Sequence, residues 1–153
     1  MTQNVPPRKR RFAGTKAQIS SAASFYKVLA YATGVMLLLV VVEMVAKYGF
    51  GTEIIAGATL ADGSTSVLGF LHDGDYTGGF NLSTAVLIVH GWMYVLYLIA
   101  DFRLWSLMRW PFSRFITIAL GGVVPLLSFI MEAKVHKEVE RELAANPGAL
   151  LRY

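Results

Sequence analysis

Five polar residues recur down one side of a single apolar stretch: Ser83, His90, Tyr94, Tyr97 and Asp101. Their spacings are seven, four, three and four. At about 100° per residue, a helix would gather them into a sector of roughly 60°. Ile88, Trp92, Val95 and Ile99 fall on the opposite side. An imidazole, two phenols and a carboxyl on one helix face can pass protons, tie helices together by hydrogen bonds, or hold a ligand. Glu43, Lys27 and Lys47, near the ends of another apolar stretch, are the possible partners of this stripe. Matching depths predict Glu43–His90 and Lys27–Asp101 contacts, with Glu43–Lys47 as an i, i+4 competitor. An unpaired charge inside a bilayer costs about 2.5–3.5 kcal/mol on insertion scales, so pairing is expected.

Several chemistries lack their residues. The chain has no cysteine, which removes disulfides, thiolate metal sites and thiol catalysis. A bis-histidine haem needs a second histidine at depth, whereas His72 and His136 lie outside the apolar stretches. Glu43 with one histidine offers too few metal ligands. Asp73-Gly74-Asp75 lacks the rest of a calcium loop. No nucleophile–base pair, phosphate-cradling glycine loop or carboxylate pair is present, so no catalytic residue, cofactor site or metal site is assigned and the chain is not expected to be an enzyme.

The elements that would position the stripe are three apolar stretches, at about 28–45, 82–100 and 111–131. Each matches the roughly 20 residues that an α-helix needs to cross a hydrocarbon core of about 30 Å. The 153 residues are 55% hydrophobic, and mean hydropathy is +0.51. The sequence therefore predicts an all-α membrane protein with three transmembrane helices, at about 25–48, 82–102 and 111–132, the last running on to about 145. Hydroxyl residues at Ser21–Ser24 are expected to cap the first helix, and Pro125 to kink the third. Gly91, Gly121 and Gly122 are expected to let helices approach closely. Residues 1–20 read as a disordered basic cytoplasmic tail, 21–145 as the transmembrane domain, 49–81 as a long outer loop and 146–153 as a tail. A cleaved signal peptide fits poorly, because Glu43 and Lys47 separate the apolar core from the small residues Ala56-Gly57-Ala58.

Counting Lys and Arg places the N-terminus inside, with nine of fourteen basic residues on that side. Three crossings then put the C-terminal helix outside. Arg8, Lys9, Arg10 and Arg11 are suited to anionic lipid headgroups rather than nucleic acid, and the expected location is the bacterial plasma membrane. Trp105, Trp110, Tyr48 and Tyr26 fall near the interfaces, and Trp92 deeper.

The segment His90-Gly91-Trp92-Met93-Tyr94, continuing through Tyr97-Leu98-Ile99-Ala100-Asp101-Phe102 to Leu104-Trp105, resembles a family of small bacterial, largely actinobacterial, integral membrane proteins marked by a His-Gly dipeptide in a three-helix domain. Lys47-Tyr48 and Val124-Pro125-Leu126-Leu127-Ser128-Phe129 fit the same pattern over roughly residues 25–137. Many relatives carry Glu-Gly where this chain has Thr33-Gly34, and proline where it has Ala46. The resemblance implies the fold and brings no reaction or ligand. The functional expectation is a non-catalytic accessory or scaffolding subunit packed against a larger membrane complex, respiratory or transport, or on a homo-oligomeric copy. The alternative is an oligomeric small transporter or proton-coupled channel using the stripe.

Overall fold

A computed structural model describes residues 12–147. Arg8, Lys9, Arg10 and Arg11 lie outside the described residues, as does most of the 146–153 tail. The element order is α1 (Lys16–Phe50), β1 (Thr52–Leu60), β2 (Thr65–His72), β3 (Tyr76–Thr77), β4 (Phe80–Asn81), α2 (Leu82–Met108), α3 (Phe112–Ala119), a 3₁₀ turn (Leu120–Gly122) and α4 (Leu127–Ala145).

α1 begins earlier than its hydroxyl cluster suggests. Thr15 accepts from the Gln18 amide and the Gln18 side chain accepts from the Thr15 amide, a reciprocal capping box. The last part of the 1–20 segment is therefore ordered, and Phe12 is buried in the core. Gly51, at φ 70°, ends the helix in the left-handed region that glycine adopts without strain.

The stretch expected as a loop is a small antiparallel sheet, which corrects the all-α reading. β1 pairs with β2 from Thr52↔His72 to Thr59↔Thr65, and with β3 and β4 on its other edge. Ala61-Asp62-Gly63-Ser64 closes the hairpin. The Asp62 carboxylate accepts from the Ser64 amide and hydroxyl, and Gly63 sits at φ 82°. Ser64 holds the Asp62 carboxyl below the usual carboxylate range. Asp-Gly between two apolar runs is the sequence signal for such a turn. The Asn81 side chain then accepts from the Thr84 amide and starts α2.

The third apolar stretch is not one crossing helix. α3 rises beside α2, the chain reverses over Val123–Leu126, and α4 returns. The antiparallel register is fixed at several levels. Trp110 donates its indole N–H to Glu142 at 3.3 Å, Arg114 pairs with Glu138, and a Cβ on Gly121 would approach Met131 Cγ at 3.5 Å. The reversal has local causes. Pro125 has no N–H to give to Gly121, and Leu126 adopts φ 65°. The expected kink is thus a complete turn. α4 ends beside the start of α1, so the C-terminal helix does not extend from the opposite end.

Two architectures result within one molecule. The half holding the start of α1 is a four-helix bundle around Ile19, Ala22, Tyr26, Tyr97, Leu104, Met108, Ile118, Val135 and Val139. Beyond about Leu37, α1 and α2 continue as a pair, capped by the sheet. Both are long and apolar enough to cross a membrane; α3 with its 3₁₀ turn is a shorter apolar segment. At 1.5 Å per residue they measure about 52 and 40 Å.

Candidate functional site

The structure distributes the polar stripe of α2 over three different tasks. Near the sheet, Ser83 donates to the Glu43 carboxylate and accepts from the Ile54 amide at 2.9 Å. One hydroxyl thereby joins α1, α2 and β1. Lys47 pairs with Glu53 at 2.6 Å, and the Asn81 amide donates to the same carboxylate. Those donors hold the Glu53 carboxyl below the usual carboxylate range, the Lys47 contact contributing most. Glu43, Lys47, Glu53 and Ser83 line a cleft of about 200 Å³ between the helix pair and the sheet. Glu43 is thus engaged by Ser83 instead of His90, and Lys47 by Glu53 instead of Glu43. The sheet, which brought in Ile54 and Glu53, was not foreseen as a source of partners.

His90 is half-buried, and its Nδ1 has no partner. Gly91 faces open space, with no atom within 4 Å of where a Cβ would sit. It therefore permits no close helix approach, contrary to expectation. The glycines that do are Gly34, Gly121 and Gly122. The opposite face of α2 is open as well, with Ile88, Trp92, Val95 and Ile99 exposed and Trp92 at 70%.

One and two turns further along, Tyr94 donates to the Ala119 carbonyl at 3.2 Å and Tyr97 to the Ile118 carbonyl at 2.6 Å. α3 ends within the bundle, and the last carbonyls of a helix have no partner in their own helix. The two phenols supply partners, which gives their i, i+3 spacing a structural reason. The Tyr97 hydroxyl also meets that of Tyr26 at 3.3 Å, with ring centroids 5.5 Å apart.

Asp101, at 0% exposure, has no hydrogen-bond partner on either carboxylate oxygen. Lys27 does not reach it. Lys27 lies 4.0 Å from Glu132 on α4, itself buried. Thr33 and Ser128, each at 0% exposure, also leave their hydroxyl oxygens unpartnered, as does one Glu132 oxygen. Tyr26 stands within electrostatic range of both Asp101 and Glu132. Sequence reading missed Glu132 and Ser128, because their seats against Lys27 and Gly34 of α1 depend on the reversal at Pro125. Tyr26 and Trp110, expected at interfaces, are buried. Tyr48 is exposed beside the sheet. Among the described residues no group of three or more His, Cys, Asp or Glu could hold a metal ion.

Comparison with known proteins gives one family: the sequence model of a domain of unknown function, DUF3817, matches residues 23–137. Relatives include the uncharacterized protein ML1176 of Mycobacterium leprae, 26% identical over 140 residues, 92% of each chain. The uncharacterized protein Rv1342c of Mycobacterium tuberculosis is 25% identical over 123 residues, 80% of each chain. No solved structure matches.

Proposed function

The chain belongs to the DUF3817 family, and from that premise we propose that it is a non-catalytic subunit of a bacterial plasma-membrane assembly, anchored by two spanning helices and a helical hairpin that enters and leaves on the inner side. His90-Gly91 is, in this reading, the family's sequence marker. The charge distribution supports the orientation. Lys16, Lys27, Arg103, Arg109, Arg114, Lys134, Lys137 and Arg141 all belong to the bundle half, whereas Lys47 alone among the described basic residues lies toward the sheet. The basic run Arg8–Arg11 precedes the bundle end of α1, where anionic headgroups would meet it. Asp62, Asp73 and Asp75 lie in the turns between the strands. Short flanking segments rich in Lys and Arg stay cytoplasmic. Folding the third stretch back thus strengthens the inside bias that three crossings would leave at nine of fourteen.

The observation that carries the subunit reading is the tip of the hairpin. Val123, Val124 and Leu126 are 53%, 45% and 56% exposed, at the level of Gly34–Leu37, about halfway along α1. Irregular backbone at that depth is tolerated where protein or a water-filled cavity covers it, not against lipid. The tip borders an apolar groove formed by Leu37, Val40, Met44 and Val45 of α1 with Val123 and Pro125. The apolar lining of that groove suits a transmembrane helix of another protein.

A photo-reactive residue placed at Val123 tests this in intact membranes. The expected result is one adduct with a different membrane protein, absent when the probe is moved to exposed Val28. Adducts with lipid alone, or with a second copy of this chain, would refute the reading. Single cysteines at Asp62 and Asn146, in a chain that has none of its own, test the orientation. Asp62→Cys is expected to label from outside and Asn146→Cys only after permeabilisation; labelling of both from outside would sink the hairpin topology.

The alternative is an oligomeric proton-coupled carrier. What favours it is the buried Asp101 carboxyl, whose two oxygens have no hydrogen-bond partner and which a pure packing subunit does not require.

A further inference from the structure

Three basic residues of α4 stand on one face of the helix. Lys134, Lys137 and Arg141 follow Ile130 at intervals of four, three and four, the spacing that stacks side chains along one side. The other side, with Ser128, Met131, Val135 and Val139, is buried in the bundle. All three cations are exposed, and none has an ion-pair partner among the described residues. The one acidic residue at this place, Glu138, is taken by Arg114 of α3. Arg114, Lys134, Lys137, Glu138 and Arg141 line a cleft of about 340 Å³ between α3 and α4. Four cations against one carboxylate leave it with a net charge of +3. Like charges at these intervals repel one another, and an anion among them relieves that repulsion.

A second cleft adjoins the first. Lys134 and Lys137 also border an apolar groove of about 440 Å³ with Phe129, Ile130 and Ala133. The two clefts thus run along α4 from an apolar end near the hairpin tip to a cationic end. Their depths match a leaflet. Lys134 is eight residues beyond Leu126 at the tip and Arg141 fifteen, about 12 and 22 Å along a helix. One leaflet's hydrocarbon is about 15 Å deep, half of a 30 Å core. With the tip near mid-depth, Ile130 and Ala133 lie among acyl chains, and the cations lie at the level of the phosphates.

We propose that this face of α4 is a binding site for an anionic phospholipid of the inner leaflet. Its phosphate sits among Lys134, Lys137 and Arg141, and an acyl chain lies over Ile130 and Ala133. A soluble phosphate compound would use the cationic cleft and leave the apolar groove empty. A zwitterionic lipid brings an ammonium group that the same cations repel. Basic pockets on the cytoplasmic side of membrane helices hold anionic headgroups in this way. The choice of leaflet rests on the orientation proposed above; the binding itself does not depend on a partner in the groove at Val123.

Thermal unfolding of the full chain in neutral detergent tests the site, with phosphatidylglycerol, phosphatidylcholine or glycerol 3-phosphate titrated in. Tm is expected to rise with the logarithm of the phosphatidylglycerol concentration and to ignore the other two. A flat response to phosphatidylglycerol would overturn the proposal. An equal response to glycerol 3-phosphate would make this a soluble-anion site, and an equal response to phosphatidylcholine would remove the role of charge; either result overturns it as well. The combined variant Lys134→Gln, Lys137→Gln and Arg141→Gln is expected to bind phosphatidylglycerol about fivefold more weakly per charge, on the order of a hundredfold in all. These side chains have no ion pair to lose, so the variant is expected to fold. Its control is Arg8→Gln, Arg10→Gln and Arg11→Gln, which removes the same charge elsewhere and is expected to keep the wild-type affinity. Equal losses in the two variants would mean that lipid answers to net charge and not to this face of α4. A missing Val123 adduct would sink the subunit reading and leave these titrations unchanged, so the two failures are distinguishable.

Discussion

Gly34→Leu is expected to push the hairpin off α1. A Cβ at Gly34 would collide with Ser128 Oγ and sit 2.8 Å from Phe129 Cζ, inside any real contact distance. The leucine's remaining atoms have no space to enter, because Tyr31 packs on Phe129 with ring centroids 5.5 Å apart. Overpacking of a well-filled site costs about 1–3 kcal/mol, and more where two backbones must separate. A lowered Tm in detergent is the expected reading. Gly91→Leu is the control: it has open space around it, and leucine has the higher helix propensity, so Tm should hold or rise. Equal losses at the two positions would mean that α4 does not rest on α1 at this level.

Tyr97→Ala should be the most damaging single change on α2. The side chain is 0% exposed and touches three elements, through its ring on Tyr26, its hydroxyl on Ile118 and its edge beside Gly121 and Gly122. Removing a buried aromatic costs about 3–5 kcal/mol. Tyr97→Phe separates the contributions. It keeps the ring and deletes the hydroxyl that serves both the Ile118 carbonyl and the Tyr26 hydroxyl, at a cost of about 1–3 kcal/mol. Tyr94→Phe should cost less, since that hydroxyl is half-buried and its bond is longer, 3.2 Å. Chemical or thermal unfolding of the three variants measures the order. If Tyr94→Phe proved worse than Tyr97→Phe, the assignment of Tyr97 as the principal cap of α3 would fail.

Most of the helical content could be read along the chain. The apolar runs gave α1 and α2, and the three- and four-residue intervals of the stripe separated the buried side of α2 at Tyr97 and Asp101 from the open side at Ile88 and Trp92. Two further signals stand in the sequence. Thr15-Lys16-Ala17-Gln18 has the form of a capping box, and Asp62-Gly63 between Ile54–Leu60 and Val67–Leu71 has the form of a hairpin turn. The partner assignments failed for a different reason. Depth along two antiparallel helices brings Glu43 near His90 only if nothing else competes, and Ser83 and the sheet do.

The amino-acid order alone determined that two long apolar helices carry one polar flank, because periodicity and length are local properties that neighbouring residues enforce. It did not determine which way the third apolar stretch runs. A run of that length, holding Gly121-Gly122 and Pro125, suits a kinked crossing as well as a turn. The choice depends on where each path leaves the charges of α4. Reversal seats Glu138 on Arg114, Glu142 on Trp110 and Glu132 near Lys27, while Tyr94 and Tyr97 cap the end of α3. Those are contacts between residues 21 to 105 positions apart in sequence. Only the packed bundle creates them, and with them the enclosed acid at Asp101.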